Sequence, residues 1–567
     1  MLGLVFGTLI GAILETGVVG MMLPFMNALV GDTANEGNMT TNLIRRVFHC
    51  TSSNQLLFTM ALLLTCLYII KGVYKWFLQW LQARKIAEFR TEISCTVFNT
   101  LIHRPYKYHL DHNTAEMQRL VTSDIDLIVM MLTQLMLLIA ESSVSIGIIV
   151  LMVFVDPKLT FCAIALMGCL MIITNGFIAK QIRQSGATVI NNSSEMLKWV
   201  QQTAGGIKNI YTSKKQGYFE NRYAVFTMKT AQSNAKYTTL NETPKIVIEA
   251  VSMASIFIYM AVTVLNGNNV EKMLPLLATF ALAAMRLIPV ANRISGAIGT
   301  MNFSLAPLNA IYTVIGGTHK TENNADNSHA EDETNAALSK TIHTGITVKD
   351  LAFRFDDTEK YLFKDLNVSI PAQKSVAFVG ATGSGKTTLA DIILGILTPE
   401  HGQVLADEYN IFEESDWWAN CIGYVPQFVY LCDDTIRSNV AFGVPEDRID
   451  NELVMHCLEK AEIRSFVEKL PDGIMTYTGE NGVRLSGGQR QRIGIARALY
   501  TCPQFLVMDE ATSALDYETE KAIIETIDSL AGKMTLLIIA HRMSTIEKCD
   551  LVYSIEEGKA VLIKGSL

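Results

Sequence analysis

No C-x-x-C pair occurs among the ten cysteines, which divide five and five between the two halves of the chain. Neither a zinc-type site nor a disulfide framework is therefore indicated, and only Cys50 falls in a segment that reads as an outer loop. The first residues lack a basic stretch and a convincing cleavage site, so Leu2 to Leu29 predicts a retained helix rather than a signal peptide. Charge is also scarce: 18% of the 567 residues are charged against 49% hydrophobic, and the mean hydropathy is +0.25. That balance excludes an ordinary soluble enzyme, and the length leaves room for more than one domain. The net charge of -8 says little about any partner, and no nucleic-acid partner is expected.

What is present divides sharply near residue 320. Before it, six mostly apolar segments are each long enough to cross a bilayer: Leu2 to Leu29, Leu56 to Leu81, Ile125 to Val153, Leu159 to Ala179, Pro244 to Leu265 and Leu274 to Met301. The long hydrophilic connections 82–124 and 180–243 carry 6 and 9 Lys plus Arg, whereas the short ones carry only Arg45, Arg46, Lys158 and Lys272. The excess of positive charge places the long connections in the cytosol. Asn38-Met39-Thr40 is a glycosylation-type triplet that we read as chance. Gly316 to Lys340 is polar, acidic and aperiodic, a linker rather than a site. The expected organisation is thus a six-helix membrane domain over 1–315, a linker over 316–340 and a second domain over 341–567.

The second domain carries the chemistry. GATGSGKT begins at Gly380, after the short apolar run KSVAFVG and before the helically spaced KTTLADIILGIL. Glycines at such a strand-to-helix turn let backbone N–H groups approach phosphate oxygens at the positive end of the helix. Gly380, Ala381, Thr382, Gly383, Ser384, Gly385, Lys386, Thr387 and Thr388 are the candidate ATP-binding loop, Lys386 for the β and γ phosphates and Thr387 for Mg2+. FLVM, another buried-strand pattern, ends in Asp509 and Glu510: Asp509 is the expected Mg2+ partner and Glu510 the candidate general base for the attacking water. TLLIIAH closes on His541, a candidate contact to the γ phosphate.

With RLSGGQRQR at Arg484 to Arg492 and SALD ending at Asp516, the second domain resembles an ABC transporter ATPase from about residue 345 onward. The resemblance implies an α/β P-loop NTPase with a parallel sheet core, an antiparallel β subdomain and a helical subdomain, joined to a six-span transmembrane domain. It further implies that Gln427 in YVPQ senses Mg2+ and the membrane domain, and that Phe355 stacks on adenine in place of the usual Tyr. Ser486, Gly487, Gly488 and Gln489 would contact ATP held by a second subunit, and Asp516 would lie beside it. TGENG, Thr478 to Gly482, resembles the exporter-type stretch before that signature. Tyr108 to Met117 and Tyr211 to Phe219 look like coupling-helix tips. One copy of each motif predicts a dimer; intact Lys386, Glu510, His541 and LSGGQ favour a homodimer, with a heterodimer as the alternative.

The cargo must be read from the membrane half, where buried charge is functional by default. Glu15, Lys71, Lys75, Glu141, Glu249, Arg286 and Arg293 are charges placed within these segments. Arg286 and Arg293, seven residues apart on one helix face, suit phosphate or pyrophosphate oxygens. The alternative is that Glu15 or Glu249 pairs with them to pin helices together. LETGVVGMMLPFMNAL (with Glu15, Thr16, Pro24 and Phe25) and ALAAMRLIPVANRISG (with Arg286, Leu287, Pro289, Ala291, Asn292 and Arg293) resemble bacterial flippases for lipid-linked oligosaccharides. YLFKDLNVSI resembles them more weakly. The implied cargo is a polyprenyl-pyrophosphate-linked glycan, moved from inner to outer leaflet of the bacterial inner membrane, with membrane lipids as neighbours. A drug, peptide or lipid exporter of the same architecture is the alternative; an ATP-gated channel or regulator is a third reading. The family normally opens with an amphipathic elbow helix, so its absence here implies a truncated start or a protein without that element. Gly3, Gly7 and Gly11 are read as helix-packing positions.

Overall fold

The computed structural model describes residues 2–30, 39–49, 53–155, 157–265, 270–316, 340–355, 360–509, 530–540, 542 and 546–565, with the side chains of α10 described from residue 287 onward. It divides into two compact units, one built from Met1–Arg104 and Tyr108–Asn324, the other on Ala325–Leu567.

The first unit is helical. Six long helices dominate its described residues: α1 (Leu2–Val30), α3 (Ser53–Ile102), α6 (Ser123–Val155), α7 (Pro157–Gly205), α9 (Gln216–Leu265) and α10 (Val270–Phe303). At a rise of about 1.5 Å per residue, the 50 residues of α3 outrun a hydrocarbon core of about 30 Å. The long hydrophilic connections are therefore mostly continued helix, running on into water. Glycines permit close approaches between helices, where a side chain would collide. A Cβ on Gly147 of α6 would lie 2.1 Å from Thr16 Oγ1 of α1, and one on Gly299 of α10 would lie 1.9 Å from Asn241 Oδ1 of α9. Gly7 and Gly11 do pack α1 on α3, against Leu78 and Tyr74, and Tyr74 donates to the Gly7 carbonyl at 2.7 Å. Gly3 faces open space.

Five shorter helices are also found among the described residues of this unit. α2 (Met39–Phe48) is amphipathic and went unforeseen, because Arg45 and Arg46 make its sequence read as loop. α4 (Tyr106–Asp111), α5 (Thr114–Val121) and α8 (Ile207–Ser213) lie at the two sequence-expected tips. Asn113 caps α5 by accepting from Ala115 N at 2.9 Å. α11 (Leu305–Gly316) follows α10 and leads to the linker.

The described residues of the second unit form two sheets. One is antiparallel, in the order β2 (Phe363–Pro371), β1 (Gly345–Phe353), β4 (His401–Ala406), β5 (Tyr409–Asn410). The other runs β10 (Lys559–Lys564), β9 (Leu551–Glu556), β3 (Ser375–Val379), β8 (Thr535–Ile539), β7 (Phe505–Asp509), β6 (Ile422–Val425). All its pairings are parallel except β9 with β10. β3, β7 and β8 are apolar without alternation because helices cover both faces of a parallel sheet. Phe363, Phe378, Trp418 and Phe505 fill one core completely buried, and Trp418 donates its ring N–H to Ile393 O at 3.1 Å. Helix α13 (Ser415–Cys421) packs Trp417 and Trp418 into that first core, whereas α14 (Ile436–Val440), α15 (Asn451–Lys460), α16 (Arg464–Val467) and α17 (Gly487–Tyr500) surround the second. Where the chain enters β1, the Asp407 carboxylate accepts from His343 N, Thr344 N, Thr344 Oγ1 and Gly345 N at 2.6–3.0 Å.

Candidate functional site

The parallel strands deliver their C-terminal ends to one edge of the sheet, where ligands of open α/β sheets bind. β3 leads into the Gly380–Gly385 loop and then α12 (Lys386–Ile393). The loop needs its glycines: Gly380, Gly383 and Gly385 take φ of +147°, +82° and +97°. A Cβ on Gly385 would also strike the Phe363 ring at 2.7 Å. Gly385 caps α12 without a side-chain acceptor, so the first amides of the helix point into the loop. Lys386 is buried, and its ammonium donates to the carbonyls of Gly380 and Ala381, each at 3.0 Å. The cation is thus already curled over the cradle.

Asp509 ends β7, buried, with β8 between its strand and β3. Gln427 is exposed just beyond β6, and Thr387 is exposed on the first turn of α12. Oxygen donors of this kind suit a hard divalent cation such as Mg2+. Glu510, Asp516 and His541 lie outside the described residues. Phe355 stands 38% exposed, its ring set at 86° to that of Phe353 with 5.1 Å between centroids.

Ser486 is the N-cap of α17 within a capping box: its hydroxyl accepts from Gln489 N at 3.3 Å, and the Gln489 side chain accepts from Ser486 N at 2.8 Å. Gly488 is buried, but a Cβ on Gly487 would meet nothing within 4 Å. Arg490 braces the turn by donating to Leu485 O at 3.0 Å.

Two features of this unit were missed in the sequence. Asp391, on α12, has its carboxyl pushed up to about 6, first by burial and then by the charge of Asp509. A lone carboxylate inside ADIILGIL was the available signal. Asn439 is fully buried and joins three segments: its amide donates to Cys432 O and Thr435 O at 3.0 Å each, while its Oδ1 accepts from Cys432 N and from Arg497 Nη2 at 2.9 Å each. Arg497 also donates to Tyr430 O at 2.7 Å and Asn439 O at 2.8 Å. The stretch after Gln427 is thereby tied to the signature helix α17, a tie that no local pattern announces.

In the membrane unit, α1, α3 and α6 enclose a cavity of about 640 Å³, with Glu15, Lys71, Lys75 and Glu141 among its polar lining. The pairing expected for the arginine of α10 needs correction. Glu15 receives Lys71 Nζ at 2.8 Å, and Glu249 is exposed; Arg293 instead grips Glu141 of α6 with both arms of its fork, Nε to Oε1 at 2.7 Å and Nη2 to Oε2 at 3.0 Å. The side chain of Arg286 lies outside the described residues.

Comparison with known proteins defines the class. Residues 6–286 match the ABC transporter transmembrane region and residues 363–513 the ABC transporter family model. The fold is that of a bacterial Atm1-family ABC exporter with ATP bound, at a TM-score of 0.78 and 23% identity, covering 98% of this chain and 94% of that one. This chain belongs to the ABC transporters, in their exporter form, and couples ATP hydrolysis to transport. It is an integral protein of the bacterial inner membrane with its ATPase in the cytosol. Among curated relatives it is 28% identical over 516 residues to an ATP-dependent lipid A-core flippase of Bordetella avium, covering 89% of this chain and 84% of that protein. It is 25% identical over 565 residues to the same-named protein of Shewanella oneidensis, covering 98% and 91%. To that of Francisella tularensis it is 29% identical over 497 residues, covering 86% and 78%.

Proposed function

We propose that two copies of this chain form a homodimer that turns a phosphorylated glycolipid from the inner to the outer leaflet by alternating access. The observation that carries the reading is Gly487, held at the start of the capped signature helix with open space before it. Among the described residues nothing lies within 4 Å of a Cβ added there, and nucleotide held by a partner would fill that space. Each ATP would lie between Lys386 and the Gly380–Thr388 loop of one copy and Ser486 to Gln489 of the other, with Asp516 alongside and Phe355 on the adenine. Thr387, Asp509 and Gln427 would hold Mg2+, which when bound offsets the negative charge of the transferring phosphate. Glu510 would take the proton of the attacking water, and His541 would hold the γ phosphate.

For the cargo, the charged cavity among membrane helices and the names of the relatives both support an amphipathic anion. A polyprenyl-pyrophosphate-linked oligosaccharide fits the helix 1 and helix 10 resemblances, with Arg286, Arg293 and Glu15 as candidate ligands; a lipid A-core type glycolipid fits the relatives. The two share phosphate on a glycan head. One observation favours a general exporter of drugs, peptides or simple lipids instead: Arg293 is already held by Glu141. The test is ATPase activity in proteoliposomes doped with each glycolipid, with a dephosphorylated version, or with neither. Stimulation that needs the phosphate supports the proposal, and equal rates in all four would move the assignment to the general exporter.

A further inference from the structure

Among the described residues, four charged side chains are buried: Lys386, Asp509, Arg119 and Asp124. The first two sit in the nucleotide site. The other two face each other in the membrane unit, Arg119 Nη1 lying 3.1 Å from Asp124 Oδ2 and 3.5 Å from Oδ1. The attraction between two buried charges repays the cost of taking them out of water only where the remaining donors are satisfied. Here they are not, since Arg119 Nε has no hydrogen-bond partner. Two apolar side chains of similar volume would hold the fold at least as well.

What apolar chains would not supply is a fixed angle. α5 and α6 are consecutive helices broken at Thr122, whose backbone departs to φ -113° and ψ -84°. Arg119 sits on one side of that break and Asp124 on the other. Around them, Leu120, Ile125 and Ile128 pack with Val97 and Leu101 of α3 and with Ile311 and Val314 of α11. Gln201 of α7 bonds to Thr114 and Gln118 of α5, each at 3.1 Å. Three membrane helices and the helix that leads to the linker thus converge on this one break.

We propose that the Arg119–Asp124 pair is a positioning device that locks the α5–α6 break as a rigid elbow, so that displacement of α5 is delivered to membrane helix α6 undiminished. A break of this kind held only by apolar contacts could bend and absorb the displacement. The pair acts through α6, and neither residue lines the membrane cavity or belongs to the Gly380–Thr388 loop. Only the flipping readout below rests on the function proposed above.

The test is hydrogen exchange of the full-length protein in lipid nanodiscs, nucleotide-free and trapped with ATP and vanadate. The amides of residues 122–126 should exchange slowly and equally in both states. In the Arg119→Met/Asp124→Leu variant, thermal stability and basal ATPase should be retained, exchange at those amides should rise about tenfold, and ATP-driven flipping of a fluorescent lipid-linked glycan should fall about tenfold. A double variant that flips like the parent overturns the proposal. So does an intact protein whose 122–126 amides change protection between states, because the break would then be a hinge. Should the double variant fail to fold, Asp124→Asn is the second variant, and the exchange of the intact protein decides alone. Failure of the intact protein to flip the probe would count against the cargo and leave the exchange result standing.

Discussion

Arg293 and Glu141 meet through two parallel hydrogen bonds between α10 and α6, at 2.7 and 3.0 Å, with the carboxylate side chain 13% exposed and the guanidinium 50% exposed. A half-buried carboxylate held by a bidentate cationic partner depends on it. Arg293→Ala should therefore lower thermal stability more than Glu141→Gln/Arg293→Gln does, with a coupling energy on the order of 1 kcal/mol in a double-mutant cycle. Additive losses would mean that the two charges do not support each other.

Gly487→Ala separates folding from catalysis. With nothing within 4 Å of the new methyl, its melting temperature should match the parent. If nucleotide on a second copy seats there, ATPase should fall by about a hundredfold or more, since a methyl displaced against phosphate costs several kcal/mol of transition-state stabilisation. Unchanged turnover would argue that the signature surface stays empty during the cycle.

Gly385→Ala should behave oppositely. The methyl meets Phe363 at 2.7 Å and the backbone holds φ +97°, so loss of stability and of ATP binding should appear together. Equilibrium ATP-analogue binding and melting of the isolated variant would check both.

Acid sensitivity should reside at the entrance to β1. The Asp407 carboxyl, although partly desolvated, is held down to about 2 by the donors of Thr344, His343 and Gly345. Its folded value lies below the unfolded one of about 3.9, so its contribution is complete above pH 4 or so and fades as pH falls toward 2. Asp407→Asn should flatten the stability profile in that window while leaving neutral-pH ATPase intact; an unchanged acid profile would count against it.

The local structure of the candidate nucleotide site was legible because loop, strand end and helix start are consecutive residues, and β3 with α12 appeared where Lys374 to Leu397 indicated. The partners of the membrane charges were not. Which carboxylate Arg293 finds depends on the rotation of α6 against α10, and one sequence does not encode rotation between helices in any local period. α2 was hidden by Arg45 and Arg46, which are ordinary on the polar side of an interfacial helix but break an apolar run. Arg119 and Asp124 looked like solvated loop charges until α3, α7 and α11 closed over them. Asn439 and Arg497 gave no signal, because their bonds join segments far apart in the chain.

The most direct measurement is ATP-driven translocation in proteoliposomes: the fraction of a fluorescent phosphorylated glycolipid that becomes accessible in the opposite leaflet, for the intact chain and for Glu510→Gln and Lys386→Ala. The account predicts movement that requires hydrolysable ATP, binding of ATP without movement in Glu510→Gln, and neither in Lys386→Ala. Movement that persists without ATP, or that survives Glu510→Gln at full rate, would contradict it.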